Sequence, residues 1–135
     1  MRYLLDVNAL VAFGLFSHQF HPRVIDWLKA ESSPTLLTCS ITELGFMRVV
    51  CRAAACGLTV SQAQNLLLQL KKNTIVPLQL VSDTNDISCL PRWVKTARQT
   101  ADGHLLWLAA AHSAKLATLD EKIPGAFLIP AMPPG

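Results

Sequence analysis

The chain has 135 residues, of which 51% are hydrophobic and only 16% charged, with a formal net charge of +3. That length suits one domain with a substantial core, expected over residues 1–135 with 130–135 as a flexible tail. So small a positive balance excludes a histone-like or tail-like basic binder and leaves any contact with a polyanion to a local patch.

In chain order, Arg2 to Leu5 reads as a short apolar strand ending at Asp6, and Asn8 to Leu15 as a helix. The same N-terminal run is no signal peptide, because Asp6 and Asn8 interrupt it and no small-x-small cleavage site follows. No stretch reaches membrane-spanning length, so a cytoplasmic protein without membrane association is expected. Pro22 suits a first helical position, and Val24, Trp27 and Leu28 give Arg23 to Glu31 a helical apolar face. Thr35 to Thr38 is a second strand. Ser40 and Glu43 form an S-x-x-E capping box that opens a helix through about Ala54. Ser61 and Gln64 form another, with Leu66, Leu67 and Leu70 on its helix. Ile75 to Val81 is a third strand. Ser82 to Leu90 is a polar connection, Arg92 to Arg98 looks helical, and Thr100 can cap a helix carrying Asp102 to Ser113. Leu116 to Leu119 is a fourth strand ending at Asp120, and Phe127 to Ile129 a fifth. Continuous apolar strands alternating with helices predict an α/β fold, with a mostly parallel sheet covered on both faces.

Only nine residues are acidic, and four of them fall at informative places. Asp6 and Asp120 follow strands; Glu43 and Asp102 stand in the first turns of helices. In an open α/β sheet these positions share one edge, where ligands bind. Acids gathered there repel one another and raise each other's pKa unless a cation sits among them. Oxygen-only ligands favour Mg²⁺ or Mn²⁺, which can activate a water and neutralise charge on a phosphoryl oxygen. Each acid also has a plainer use: Glu43 as a capping-box partner, Asp102 as a favourable charge at a helix N-terminus, Asp120 as a turn cap. Asp6 is the hardest to explain so, since it interrupts an apolar run with no basic partner nearby.

The segments LLDVNALVA, TELGFMRVV and TADGHLLWLAAAHSAKLATLDEKI, in this order and spacing, resemble the PIN-domain ribonucleases, most of all the VapC-type toxins of bacterial toxin–antitoxin pairs. HPRVIDWL and NDISCL also look like that family, and the resemblance runs from Tyr3 to about Ile123. It implies a PIN-like three-layer α/β/α fold with five strands and a metal site of Asp6, Glu43, Asp102 and Asp120. Asn8 and Thr118 match polar positions that support those acids in the family. It further implies an RNA substrate, a homodimer and a cognate antitoxin. Two positions depart from the family's habit: Ala101 directly before the third acid, where Thr is common, and Glu121 after the fourth, where a basic residue is common.

Other residues carry weaker signals. His104 and His112 share a helix face, but their spacing is too wide for a metal pair, so packing or surface roles are expected. His18 and His21 are expected to be solvent-exposed. Arg92, Lys95 and Arg98 could bind RNA phosphates near Asp102, or simply form a solvated face. Arg48 and Arg52 are expected to point away from Glu43. Trp27, Trp93 and Trp107 read as core or interface, and no aromatic ladder for stacking bases is evident. Phe46, Met47, Val49, Val50, Leu58, Leu66 and Leu67 read as core or, more sharply, as a dimer face. Cys39, Cys51, Cys56 and Cys89 contain no C-x-x-C pair and are expected to be reduced small hydrophobes.

The function expected is a divalent-metal-dependent endoribonuclease, the toxin of a toxin–antitoxin pair. The alternatives are a PIN-type RNA-processing nuclease without a toxin role and a non-catalytic interaction protein. A receiver-like phosphoacceptor module is excluded because its acidic pair, its third-strand Asp and its fifth-strand Lys are missing here. A haloacid-type phosphatase is excluded because Asp6-Val7-Asn8 lacks the second acid.

Overall fold

Five short segments pair as parallel strands: β1 (Arg2–Leu5), β2 (Thr35–Thr38), β3 (Leu78–Leu80), β4 (Lys115–Thr118) and β5 (Phe127–Leu128). They come from a computed structural model that describes residues 1–131 except 53, 55, 73, 74 and 77. Five α-helices join them: α1 (Val7–Gly14), α2 (His21–Ala30), α3 (Ser40–Val50), α4 (Val60–Lys71) and α5 (Thr100–Ala111). The strand order is β3-β2-β1-β4-β5. The sheet is parallel throughout, where the sequence promised a mostly parallel one.

Side-chain alternation along each strand builds the three layers. Tyr3, Leu5, Leu36 and Ala117 face a core shared with α1, α2, α3 and α4. Leu4, Leu37 and Leu116 face the opposite side, against Leu105 and Leu108 of α5. Because both faces are buried, a slip of one residue would exchange the two cores wholesale, which pins the register. The order also sets the functional edge. The chain leaves β1 toward β2 on one side, while β4 pairs with the other side of β1, so the direction of winding reverses between β1 and β4. Ligand crevices in open α/β sheets form outside the carboxyl ends of the strands at such a point.

Several local expectations need correction. The helix opened by Ser40 starts one residue earlier in phase: Cys39 is its N-cap, and the Cys39 N–H donates to Thr42 Oγ1 at 3.0 Å. Glu43 is thereby released from capping. The second box is Thr59 and Gln62 rather than Ser61 and Gln64, with reciprocal bonds of 3.1 and 3.0 Å. Thr100 lies inside α5, and its hydroxyl donates to the Ala97 carbonyl at 2.8 Å. Arg92 to Arg98 forms turns and ends in a 3₁₀ turn (Ala97–Gln99), not an α-helix. Helix α3 stops at Val50, short of Ala54; residue 53 lies outside the described residues, as do residue 77 of the third-strand expectation and 132–135 of the expected tail.

One close approach fixes the start of α1. A Cβ at Gly45 would lie 2.4 Å from Val7 Cγ2, so only glycine lets α3 lie against the residue that follows Asp6.

Candidate active site

Asp6 leaves β1 and caps α1, its Oδ1 accepting from the Val7 N–H at 2.8 Å. It is 6% exposed, buried among apolar strands. Its other oxygen accepts from the Thr118 hydroxyl at 2.8 Å. Thr118, at the end of β4 and wholly buried, is the hub of a small network. Its Oγ1 also accepts from the Asp120 N–H at 3.0 Å and from Asn8 Nδ2 at 3.3 Å. The Asn8 side-chain oxygen in turn accepts from the Leu119 N–H at 3.0 Å. Thus the end of β1 and the end of β4 are tied together through Thr118, and the carboxylates that follow them are held side by side.

Asp102 reaches the same place from the first turn of α5. That helix runs back to the start of β4, so its N-terminus lies at the carboxyl edge of the sheet. Asp6, Asp102 and Asp120 together line a cleft of ≈ 440 Å³, floored by apolar side chains that include Val11 and Leu105. Burial pushes the Asp6 carboxyl above its ordinary range and Asp120 adds to this, against the lowering effect of its bonds to Thr118 and Val7. Burial likewise raises Asp102, helped by the charges of Asp6 and Asp120. The three acids therefore sense one another electrostatically, the arrangement that a divalent cation relieves.

Glu43 stands apart. Its Oε2 accepts from the Thr38 hydroxyl at 2.6 Å and pairs with Lys71 Nζ of α4 at 2.8 Å. It lines a neighbouring apolar groove between α3 and α4, with Leu44, Met47 and Leu68, rather than the cleft of the aspartates. Among the described residues no three acid, histidine or cysteine groups stand together as a preformed metal cage. The cleft instead brings together three carboxylates, whose oxygen donors suit Mg²⁺ or Mn²⁺.

Other expected contributors sit elsewhere. Arg92, Lys95 and Arg98 are exposed and do not line the cleft. His104 contacts Asp83, and His112 Nε2 meets the Ser82 carbonyl at 3.0 Å, so the shared histidine face of α5 docks the segment after β3. Phe46, Val50 and Leu67 are core, with Met47, Val49, Leu58 and Leu66 packed against it. Trp27 is buried beside Tyr3, and all four cysteines are free.

Thr38, Lys71, His18 and Arg48 stand at or near the site beyond the residues expected there, while Thr118 was among those expected. Thr38 and Thr118 are equivalent: each ends a strand and donates to an acid. Thr118, closing an apolar strand two residues before Asp120, was readable; Thr38, five residues before Glu43, was not. Lys71 was not readable, since only the packing of α4 on α3 brings it to Glu43. His18 and Arg48 line the cleft with the three aspartates; His18 is half-buried rather than solvent-exposed, and Arg48, expected only to point away from Glu43, lines the groove of Glu43 as well.

Comparison with known proteins identifies the family. A family model described as PIN domain matches residues 3–126. Ribonuclease VapC38 of Mycobacterium tuberculosis is 33% identical over 124 residues, covering 87% of this chain and 84% of the relative. Ribonuclease VapC44 of the same organism is 31% identical over 130 residues, covering 91% and 89%. The crystal structure of Mycobacterium tuberculosis VapC20, titled a Sarcin-Ricin loop cleaving toxin, superposes with a TM-score of 0.64 over 95% of this chain and 99% of that one, at 12% identity. The last is a likeness of fold, but the family match spans most of the sequence, and this chain belongs to the PIN-domain family, among the VapC ribonucleases.

Proposed function

We propose that this chain is a divalent-metal-dependent endoribonuclease that acts in the cytoplasm as the toxin of a toxin–antitoxin pair, folded as a single domain and working as a homodimer restrained by a cognate antitoxin. The observation that carries the proposal is the meeting of Asp6, Asp102 and Asp120, from three distant segments, in one cleft at the switch point of a PIN-domain sheet. Relatives named as VapC ribonucleases at 31–33% identity support RNA as the substrate.

In this reading Asp6, Asp102 and Asp120 hold Mg²⁺ or Mn²⁺, with Glu43 as the fourth carboxylate. Bound by these residues, such an ion would lower the pKa of a water and offset charge on the phosphoryl oxygens. The chain's own residues supply position. Asp6 is aimed by two hydrogen bonds and cannot swing; Thr118 and Asn8 hold the turn that carries Asp120; the apolar floor of the cleft limits bulk water beside the acids. Glu43 is held in place by Thr38 and Lys71. Arg92, Lys95 and Arg98 would meet RNA outside the cleft rather than within it.

The test is incubation of purified protein with total cellular RNA. Discrete cleavage with Mg²⁺ or Mn²⁺, abolished by EDTA and by Asp6→Asn, is expected. Expression of the wild-type chain should arrest growth, and Asp6→Asn should not. Undiminished cleavage in EDTA by a contaminant-free preparation would remove the metal from the reading. Light scattering at micromolar concentration tests the dimer.

A further inference from the structure

Three carboxylates make a poor landing site for a polyanion, so a nuclease cleft built on them needs donors that face the phosphate chain. The basic residues expected to bind RNA beside Asp102, namely Arg92, Lys95 and Arg98, do not line this cleft. Two other side chains do. Arg48, from the second half of α3, lines it while making no ion pair with any described residue, although three aspartates share the lining. His18 lines it from the loop between α1 and α2. The Phe20 N–H donates to His18 Nδ1 at 3.0 Å. With Nδ1 accepting, a neutral imidazole carries its proton on Nε2, which is left to donate to a ligand.

The geometry points to His18 and Arg48 as the phosphate-binding side of the cleft, contacting the RNA backbone at or beside the scissile phosphate. This rests on the ribonuclease reading given above and adds to it the groups that position the substrate. The two differ in kind. Arg48 offers a planar fork of donors and a permanent charge, which suits a phosphate's paired oxygens. His18 offers one neutral donor from a ring held at its other nitrogen and flanked by Phe20, with ring centroids 5.9 Å apart. A cationic arm from α3 and a neutral donor from the loop after α1 thus line one cleft with the acids.

The difference in charge yields a signature that a merely structural role would not produce. An oligoribonucleotide spanning a cut mapped in total RNA is labelled, and its binding is measured by fluorescence anisotropy across a salt series. Cleavage is blocked by Asp6→Asn in every sample. Each phosphate neutralised on a single strand contributes about 0.7 to the slope of log affinity against log salt. Arg48→Ala should therefore weaken binding about tenfold or more, as loss of a charge-assisted bond implies, and flatten the slope by about 0.7. Arg48→Lys should keep the slope and recover part of the affinity. His18→Ala should weaken binding by about fivefold with the slope unchanged, and His18→Asn, which keeps a donor, should recover most of it. In the cleavage-competent background the losses should appear mainly in KM. Circular dichroism melts confirm that each variant folds, and Arg48→Lys and His18→Asn serve where the alanine variant does not. Variants that bind with wild-type affinity and slope overturn the assignment while leaving the nuclease reading intact. A wild-type chain that neither cuts nor binds RNA overturns both.

Discussion

Thr118→Val removes the hub of the candidate site without changing its shape. Valine matches threonine in volume, so no cavity opens at a position with no solvent exposure. Three hydrogen bonds are lost: the one donated to Asp6 and those received from the Asp120 N–H and the Asn8 amide. The first goes to a charged acceptor and is worth about 1.5–3 kcal/mol; the accepted pair adds about 1 kcal/mol more. The sum is about 2.5–4 kcal/mol. Unfolding entropy near 2.1 cal/mol/K per residue over this length makes each kcal/mol about 3.5 °C, so the Tm in EDTA at pH 7 should fall by about 9–14 °C. The loss should also depend on pH. Asp6 has its folded carboxyl raised, so its contribution to stability is fully present below the unfolded pKa and is lost as pH rises through the folded value. The Thr118 bond opposes that rise; without it Asp6 is raised further. The difference between variant and wild type should therefore be small in acid, where Asp6 is protonated in both, and grow as pH rises through Asp6's raised range. Thermal melts from pH 3 to 8, with Thr118→Ser as the control that keeps the hydroxyl, make the measurement. A deficit that is flat with pH, or a variant as stable as wild type at pH 7, would refute the view that Thr118 holds the ionised carboxylate.

Asp6→Asn should abolish RNA cleavage yet leave the metal-free protein as stable or more stable at pH 7, the gain appearing as pH rises through the raised carboxyl range of wild type; a clearly lower Tm in EDTA would show Asp6 to be structural. Mg²⁺ should narrow that gap by stabilising wild type alone, by about 2.7 kcal/mol at 100 times Kd, read as a Tm shift missing from the variant. Glu43→Gln separates chemistry from support: it should lower cleavage and weaken the link to Lys71, whereas wild-type cleavage rates would make Glu43 a structural residue of α3 and α4. Gly45→Ala sets helix propensity, a gain of about 1 kcal/mol, against a contact of 2.4 Å with stiff Val7, an overpacking cost of about 1–3 kcal/mol; the Tm should fall, and a rise would mean that Val7 gives way freely. Hydrolysis by water should leave 5′-phosphate and 3′-hydroxyl ends, which end-labelling can read; a 2′,3′-cyclic phosphate would instead implicate attack by the ribose 2′-hydroxyl.

What the sequence determined by itself was whatever short-range pattern controls. Apolar runs that bury both faces became the strands, and the two acids that end β1 and β4 could be placed because a strand end and its next residue are local facts. Alternation of strands and helices predicted the parallel sheet, and family resemblance then implied five strands and a metal site of the four acids. Capping frames were misjudged because Ser, Thr and Cys compete for the same N-terminal donors over one or two residues. The segment 92–98 carried a helical spacing of basic residues but has few buried contacts to hold a helix. Only the tertiary structure decided which groups meet. Asp6, Asp102 and Asp120 share a cleft because winding reverses between β1 and β4, and Thr118 binds across that seam. Glu43 turned to Thr38 and Lys71, a partner 28 residues away, and Arg48 and His18 reached the acids from separate elements of one layer. Such pairings depend on how helices pack over the sheet edge, and periodicity along one segment holds no information about the side chains of another.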